Sequence, residues 1–232
     1  KEGNPPSPSF LRSVVTLFSG TVIAPAIPFI FAPIIARLYG AEQFAVFGTL
    51  LAVFNILNVI AAARYEMAVV VPSSDEESAH LVRGAVVIAL VMGGISFLGM
   101  LFLSGSKGMA RHLPGLSDVA WVAAALASLA GLQMVLQQWL LRRKRFATVA
   151  RMKVVQALTI TVVTLVFGRL AFRNGLELGY LTGWAAFTLS TILAVVRREP
   201  LPGRTERSAI LRALHRYREW PLVNAWPALV NA

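Results

Sequence analysis

The stretch from Gly84 to Ser106, GAVVIALVMGGISFLGMLFLSGS, runs for 23 positions without a charged residue. At 1.5 Å per residue it makes a helix of about 34 Å, enough to cross a hydrocarbon core of roughly 30 Å. Its apolar residues form one block and do not alternate as those of a half-buried strand must. Similar charge-free runs cover Ser13 to Ala36, Gln43 to Ala63, Val119 to Leu141, Val154 to Gly168 and Leu178 to Val196. The second can continue through Met67 to Val71 and stop at Pro72. The fifth lengthens toward Phe146 if Arg151 and Lys153 snorkel to the headgroups. The expected spans are therefore about 13–36, 43–71, 84–106, 119–141, 147–168 and 178–196, an all-α polytopic transmembrane helical bundle.

The composition agrees. Of 232 residues 56% are hydrophobic and 14% charged, with a mean hydropathy of +0.66, whereas a soluble domain carries about a quarter charged residues. The net charge of +11 raises the question of nucleic acid, but its placement answers otherwise. With the N-terminus inside, 16 Lys and Arg fall in inner segments and 5 in outer loops, the bias that retains a loop on the cytoplasmic side. The expected topology is N-in, with 197–220 cytoplasmic and no nucleic-acid partner. The first span is too long for a signal peptide and has no small-residue cleavage site after it.

Cysteine is absent, and His80, His112 and His215 share no ligand spacing, so no metal site, disulfide or thiolate chemistry is expected. No phosphate loop or HExxH occurs, and the only aspartates are Asp75 and Asp118. An enzyme activity therefore has no visible carrier, and no cofactor is expected.

Several features point to function. Pro25, Pro28 and Pro33 each remove a backbone donor from span one. A helix so interrupted bends, as a moving element or a static kink, and lines an internal surface where its freed carbonyls are satisfied. Arg64 and Glu66 interrupt the apolar stretch that ends span two. Two residues apart on an α-helix they point to nearly opposite sides, so each needs another partner or water. Arg64 either faces an anionic substrate in a polar cavity, with Glu66 bracing another helix, or both anchor the inner interface. Arg142 to Arg145 form a basic loop that sets topology or meets anionic headgroups. Asp75, Glu76 and Glu77 after Ser73-Ser74 read as a helix N-terminus. Arg207 to Trp220 place Ile210, Leu211, Leu214 and Tyr217 on one stripe, an amphipathic helix lying on the inner leaflet that tethers two membrane halves or recruits a partner. Pro221 to Ala232 open a further apolar segment, so the 232 residues are read as part of a longer protein.

Five stretches then resemble one family in order and spacing: Leu11 to Gly20 (LRSVVTLFSG), Arg37 to Phe47 (RLYGAEQFAVF), Arg64 to Pro72 (RYEMAVVVP), Trp139 to Phe146 (WLLRRKRF) and Arg216 to Leu222 (RYREWPL). The chain resembles, from about Phe10 to Ala232, the polysaccharide (O-antigen) flippases of the multidrug/oligosaccharidyl-lipid/polysaccharide exporter superfamily. The resemblance implies the six-helix N-terminal lobe of a two-lobe MATE-like exporter fold, cut at the start of helix seven. It divides the chain into a membrane lobe at 1–198, a cytoplasmic amphipathic linker at 199–220 and the start of a seventh span at 221–232. It further implies transport of undecaprenyl-diphosphate-linked oligosaccharide across the bacterial inner membrane by alternating access. A glycan polymerase and a chain-length regulator are then expected neighbours. Arg64 and Glu66 occupy the family's RYE-type position, and Arg37 either contacts substrate or marks the outer interface. The readings weighed against this are an ion-coupled drug exporter of the same superfamily, a membrane-embedded glycan polymerase or ligase with its catalytic residues downstream, and a lobe that is only a scaffold.

Overall fold

The computed structural model describes the backbone of residues 8–105, 116–203, 206–220 and 223, with side chains from Val22 onward in the first helix and from Val119 in the fourth. Lys107, Arg111, His112 and the predicted seventh-span start lie outside the described residues, Val223 apart. All regular elements among the described residues are helical: α1 Pro8–Leu38, α2 Ala41–Ile60, α3 Asp75–Ser104, α4 Leu116–Arg142, α5 Phe146–Arg169, α6 Gly175–Arg198 and α7 Arg207–Arg216, with a 3₁₀ segment at Tyr65–Val70. Helices α2 to α6 are long and apolar enough to cross a membrane. Helix α1 spans 31 residues, of which Val22–Leu38 form a described apolar segment.

Local chemistry explains the boundaries. Ser74 caps α3, its hydroxyl accepting from the Glu77 amide at 3.2 Å, and Asp75, Glu76 and Glu77 fill the first turn. Acids there meet the positive end of the helix dipole, so the expected N-terminus holds and the helix starts nine residues before the charge-free run. Helix α1 continues through Pro25, Pro28 and Pro33 as one element.

Helix α4 is the axis of the bundle. Two thirds of its membrane window is buried, against 22–39% for the other four spans. It packs against α2, α3, α5, α6 and the 3₁₀ segment. Ala123, Ala124, Ala127, Ala130 and Gly131 along it are buried; small residues let neighbouring backbones approach closely in a lipid environment. Around it, α1 packs on α5, α5 on α6, and α3 on α4. One core layer joins Leu50, Phe54, Met100, Val119, Val122 and Leu126; the other joins Val69, Val82, Val135, Trp139, Val149 and Val195. Phe54 meets Trp184 edge-on at 5.4 Å and ties α2 to α6.

Two expectations are corrected. The second span does not run to Val71: α2 closes at Ile60, and the chain turns over 61–64 into the 3₁₀ segment. The stripe of α7 does not all face lipid. Ala213 is buried with Ala68 and Leu81, with Leu214 and Tyr217 packed against them, while Leu211 is 66% exposed. Gly84 allows this contact, since a Cβ there would lie 2.9 Å from the Leu214 side chain. Arg83 secures the connection by donating from Nη2 to the carbonyls of Leu201, Pro202 and Gly203 at 3.2, 2.9 and 3.0 Å.

Candidate functional site

The break after α2 forms without glycine or proline. Residues 61–64 are Ala-Ala-Ala-Arg, and Ala63 and Arg64 adopt left-handed backbone angles, φ 46° and 62°. A side chain makes that region unfavourable, so the surroundings must impose it. The Ala61 carbonyl lies against Gly131 of α4, where a Cβ would stand 2.5 Å from the oxygen. Beyond the break, the Ser78 hydroxyl donates to the Val69 carbonyl at 2.6 Å, and Arg142 Nη1 donates to the Pro72 carbonyl at 2.7 Å. The Tyr65 hydroxyl donates to the Leu214 carbonyl of α7 at 3.5 Å. Irregular backbone beside a membrane span is tolerated where protein encloses it, and α3, α4 and α7 enclose this segment.

This geometry changes the relation between Arg64 and Glu66. On an α-helix they would diverge; with Arg64 left-handed and a 3₁₀ turn following, Arg64 Nη1 lies 3.7 Å from Glu66 Oε1. Their side chains are 17% and 6% exposed. At that distance the pair is ionic and not hydrogen-bonded. Arg64 Nε and Glu66 Oε2 are buried without a hydrogen-bond partner among the described residues. Burial raises the Glu66 carboxyl above its ordinary range, opposed by a backbone hydrogen bond and by the Arg64 charge. The segment therefore holds a guanidinium and a carboxylate with unspent hydrogen-bonding capacity, which can receive a polar or anionic group.

The other predicted residues are not part of this site. Arg37 is exposed in the last turn of α1. It is at the opposite end of the bundle, separated from Arg64 by the length of α2, about 30 Å. At that end the Tyr39 hydroxyl donates to the Thr164 carbonyl at 2.7 Å, and burial, helped by the Glu177 charge, pushes its pKa to about 12. Pro25 and Pro33 are exposed and Pro28 is half-buried.

The basic loop does more than its sequence suggested. Arg142 Nε donates to Asp75 Oδ1 at 2.9 Å, and Arg143 pairs with both Asp75 and Glu199. Arg145 also pairs with Glu199. Glu199 is held below the ordinary carboxylate range, chiefly by the Arg143 hydrogen bond and also by Arg145, against the effect of its burial. Trp139 is fully buried beneath this cluster and donates from Nε1 to the Glu199 carbonyl at 2.9 Å. Three of the four basic residues thus tie the start of α3, the end of α4 and the end of α6 together. Glu199 carried no signal in the sequence beyond being an acid just after a span. Among the described residues no three His, Asp or Glu side chains form a group that could hold a metal.

No curated protein and no solved structure matches the chain. The profile of the polysaccharide biosynthesis protein family matches residues 10–220, from the first helix to the end of the α7 region. That match covers the spans, the Arg64–Glu66 break and the arginine cluster together, and the chain belongs to the polysaccharide biosynthesis protein family.

Proposed function

We propose that this chain is the membrane lobe of a transporter that flips undecaprenyl-diphosphate-linked oligosaccharide across the bacterial inner membrane, by alternating access and without chemical change to the substrate. The observation that carries the reading is Arg64, a shielded guanidinium whose Nε has no partner among the described residues, at a break in the membrane-spanning framework. An amphiphile bearing a diphosphate and a polar glycan needs a cationic, polar place beside an apolar surface. Membership of a polysaccharide biosynthesis family and a bundle of apolar helices support that substrate class. The end of the bundle carrying Arg64, the arginine cluster and α7 is read as cytoplasmic because the basic residues concentrate there. A glycan polymerase and a chain-length regulator are the expected neighbours of such a transporter.

The test is rescue of a flippase-deficient strain by the gene that encodes this chain. At equal membrane abundance, Arg64→Ala and Arg64→Glu are expected to lower surface glycan by about tenfold or more, the effect of losing one strong contact to a charged group. Wild-type glycan levels from both variants would overturn the assignment of Arg64.

A further inference from the structure

Among the cations at the basic end, the structure separates those engaged by acids from those left free. Arg142, Arg143 and Arg145 are paired with Asp75 and Glu199, and Arg216 with Glu77 at 3.0 Å. The side chains of Lys144, Arg151, Arg197 and Arg198 are exposed and make no hydrogen bond or ion pair among the described residues.

Lys144 is conspicuous for its backbone. It lies two residues past the end of α4, with φ 56°. The Arg145 amide donates to the Leu140 carbonyl and the Lys144 amide to the Leu141 carbonyl, both at 2.9 Å. These are the two bonds of a Schellman cap, and Lys144 occupies its left-handed position, where glycine is favoured because it has no Cβ to strain. A lysine kept there at a cost in backbone strain points to a use for its ammonium group.

The four cations also lie toward one end of the α5–α6 pair. The Arg145–Glu199 pair and the hydrogen bond from Thr191 Oγ1 to Met152 Sδ at 3.4 Å set α5 antiparallel to α6. In that register Lys144, Arg197 and Arg198 stand within about one turn of one another along the bundle axis, and Arg151 lies about 9 Å further toward the middle of the span. A guanidinium at that depth snorkels outward along its own stem. The geometry points to a binding surface for the anionic headgroups of bilayer phospholipids, built by Lys144, Arg151, Arg197 and Arg198 at the α5–α6 corner. Phospholipid is the occupant because the cations stand at the mouth of two membrane-spanning helices, whose exposed Val155, Leu189 and Val196 provide the apolar surface for acyl chains. This surface does not depend on what Arg64 binds.

The test measures phosphatidylglycerol retained by the full chain in neutral detergent, by native mass spectrometry, with melting in phosphatidylcholine nanodiscs as the control on folding. Lys144→Gly is expected to bind phosphatidylglycerol about fivefold more weakly, the effect of one cation at an anionic surface. The same variant is expected to melt no lower than wild type, because glycine relieves the strained cap. Lys144→Arg is expected to retain the lipid, and joint replacement of Arg151, Arg197 and Arg198 by Gln to weaken it further. Unchanged retention in both Lys144→Gly and the triple variant would overturn the proposal. So would an equal loss in Arg212→Gln on α7, which would make net charge the cause, or displacement of the lipid by soluble glycerol phosphate.

Discussion

Gly131 of α4 and the carbonyl of Ala61 approach so closely that a Cβ on Gly131 would stand 2.5 Å from the oxygen. This contact sits where α2 ends and the left-handed pair Ala63 and Arg64 begins. The neighbouring group is backbone and cannot rotate away. Gly131→Ala is therefore expected to destabilise the chain by about 1–3 kcal/mol, the range for overpacking a tight contact. Thermal unfolding in nanodiscs measures it, and an unchanged midpoint would remove Gly131 as the support of the break.

Arg142 reaches three acceptors on two sides of the next turn. Its Nε meets Asp75, and its Nη1 meets the Pro72 carbonyl at 2.7 Å and the Val70 carbonyl at 3.4 Å. A lysine ammonium cannot span these directions. Arg142→Lys is expected to lose about 2 kcal/mol, in line with hydrogen bonds to a charged group, and to speed amide exchange in Tyr65–Val70. Exchange at the wild-type rate would contradict its clamping role.

Much of the bundle could be read from charge-free runs and from one capping serine, because membrane spans and helix starts are written locally. The break at Ala61 was not legible. Ala-Ala-Ala-Arg favours helix by propensity, and Gly131, 70 positions away in the sequence, decides against it. For the same reason the pairing of Arg64 with Glu66 contradicts their helical spacing. Arg64 itself was legible as a cation out of place beside an apolar span. The arginine cluster was half legible: its cations are contiguous, but Asp75 is 67 positions from Arg142, and Glu199 follows a span with no local pattern to mark it.

Glu199 makes the cluster sensitive to acid. Its carboxyl lies below the ordinary 4.5, mainly through its hydrogen bond from Arg143. A depressed carboxylate contributes stability that is complete above its unfolded value and is lost as pH falls through the lower folded value. The melting midpoint of the wild-type chain is therefore expected to fall as pH drops below about 4.5, and Glu199→Gln to show a shallower fall. Equal slopes for the two proteins would show that Glu199 does not carry this dependence.

Trp139 Nε1 donates to the Glu199 carbonyl at 2.9 Å from a fully buried indole. Trp139→Phe keeps most of the ring surface and leaves that carbonyl without its donor. A loss of about 1–3 kcal/mol is expected for an acceptor left unsatisfied in the interior. A midpoint equal to wild type would show that water replaces the indole.

Most direct for the central claim is transport itself. The purified protein encoded by this gene would be placed in liposomes containing a fluorescent lipid-linked oligosaccharide, and the fraction reaching the opposite leaflet followed with an impermeant quencher. Wild type is expected to move the lipid, and Arg64→Glu to slow it by about tenfold or more at unchanged melting midpoint. No movement above protein-free liposomes, or equal rates for wild type and Arg64→Glu, would contradict a flippase that uses Arg64.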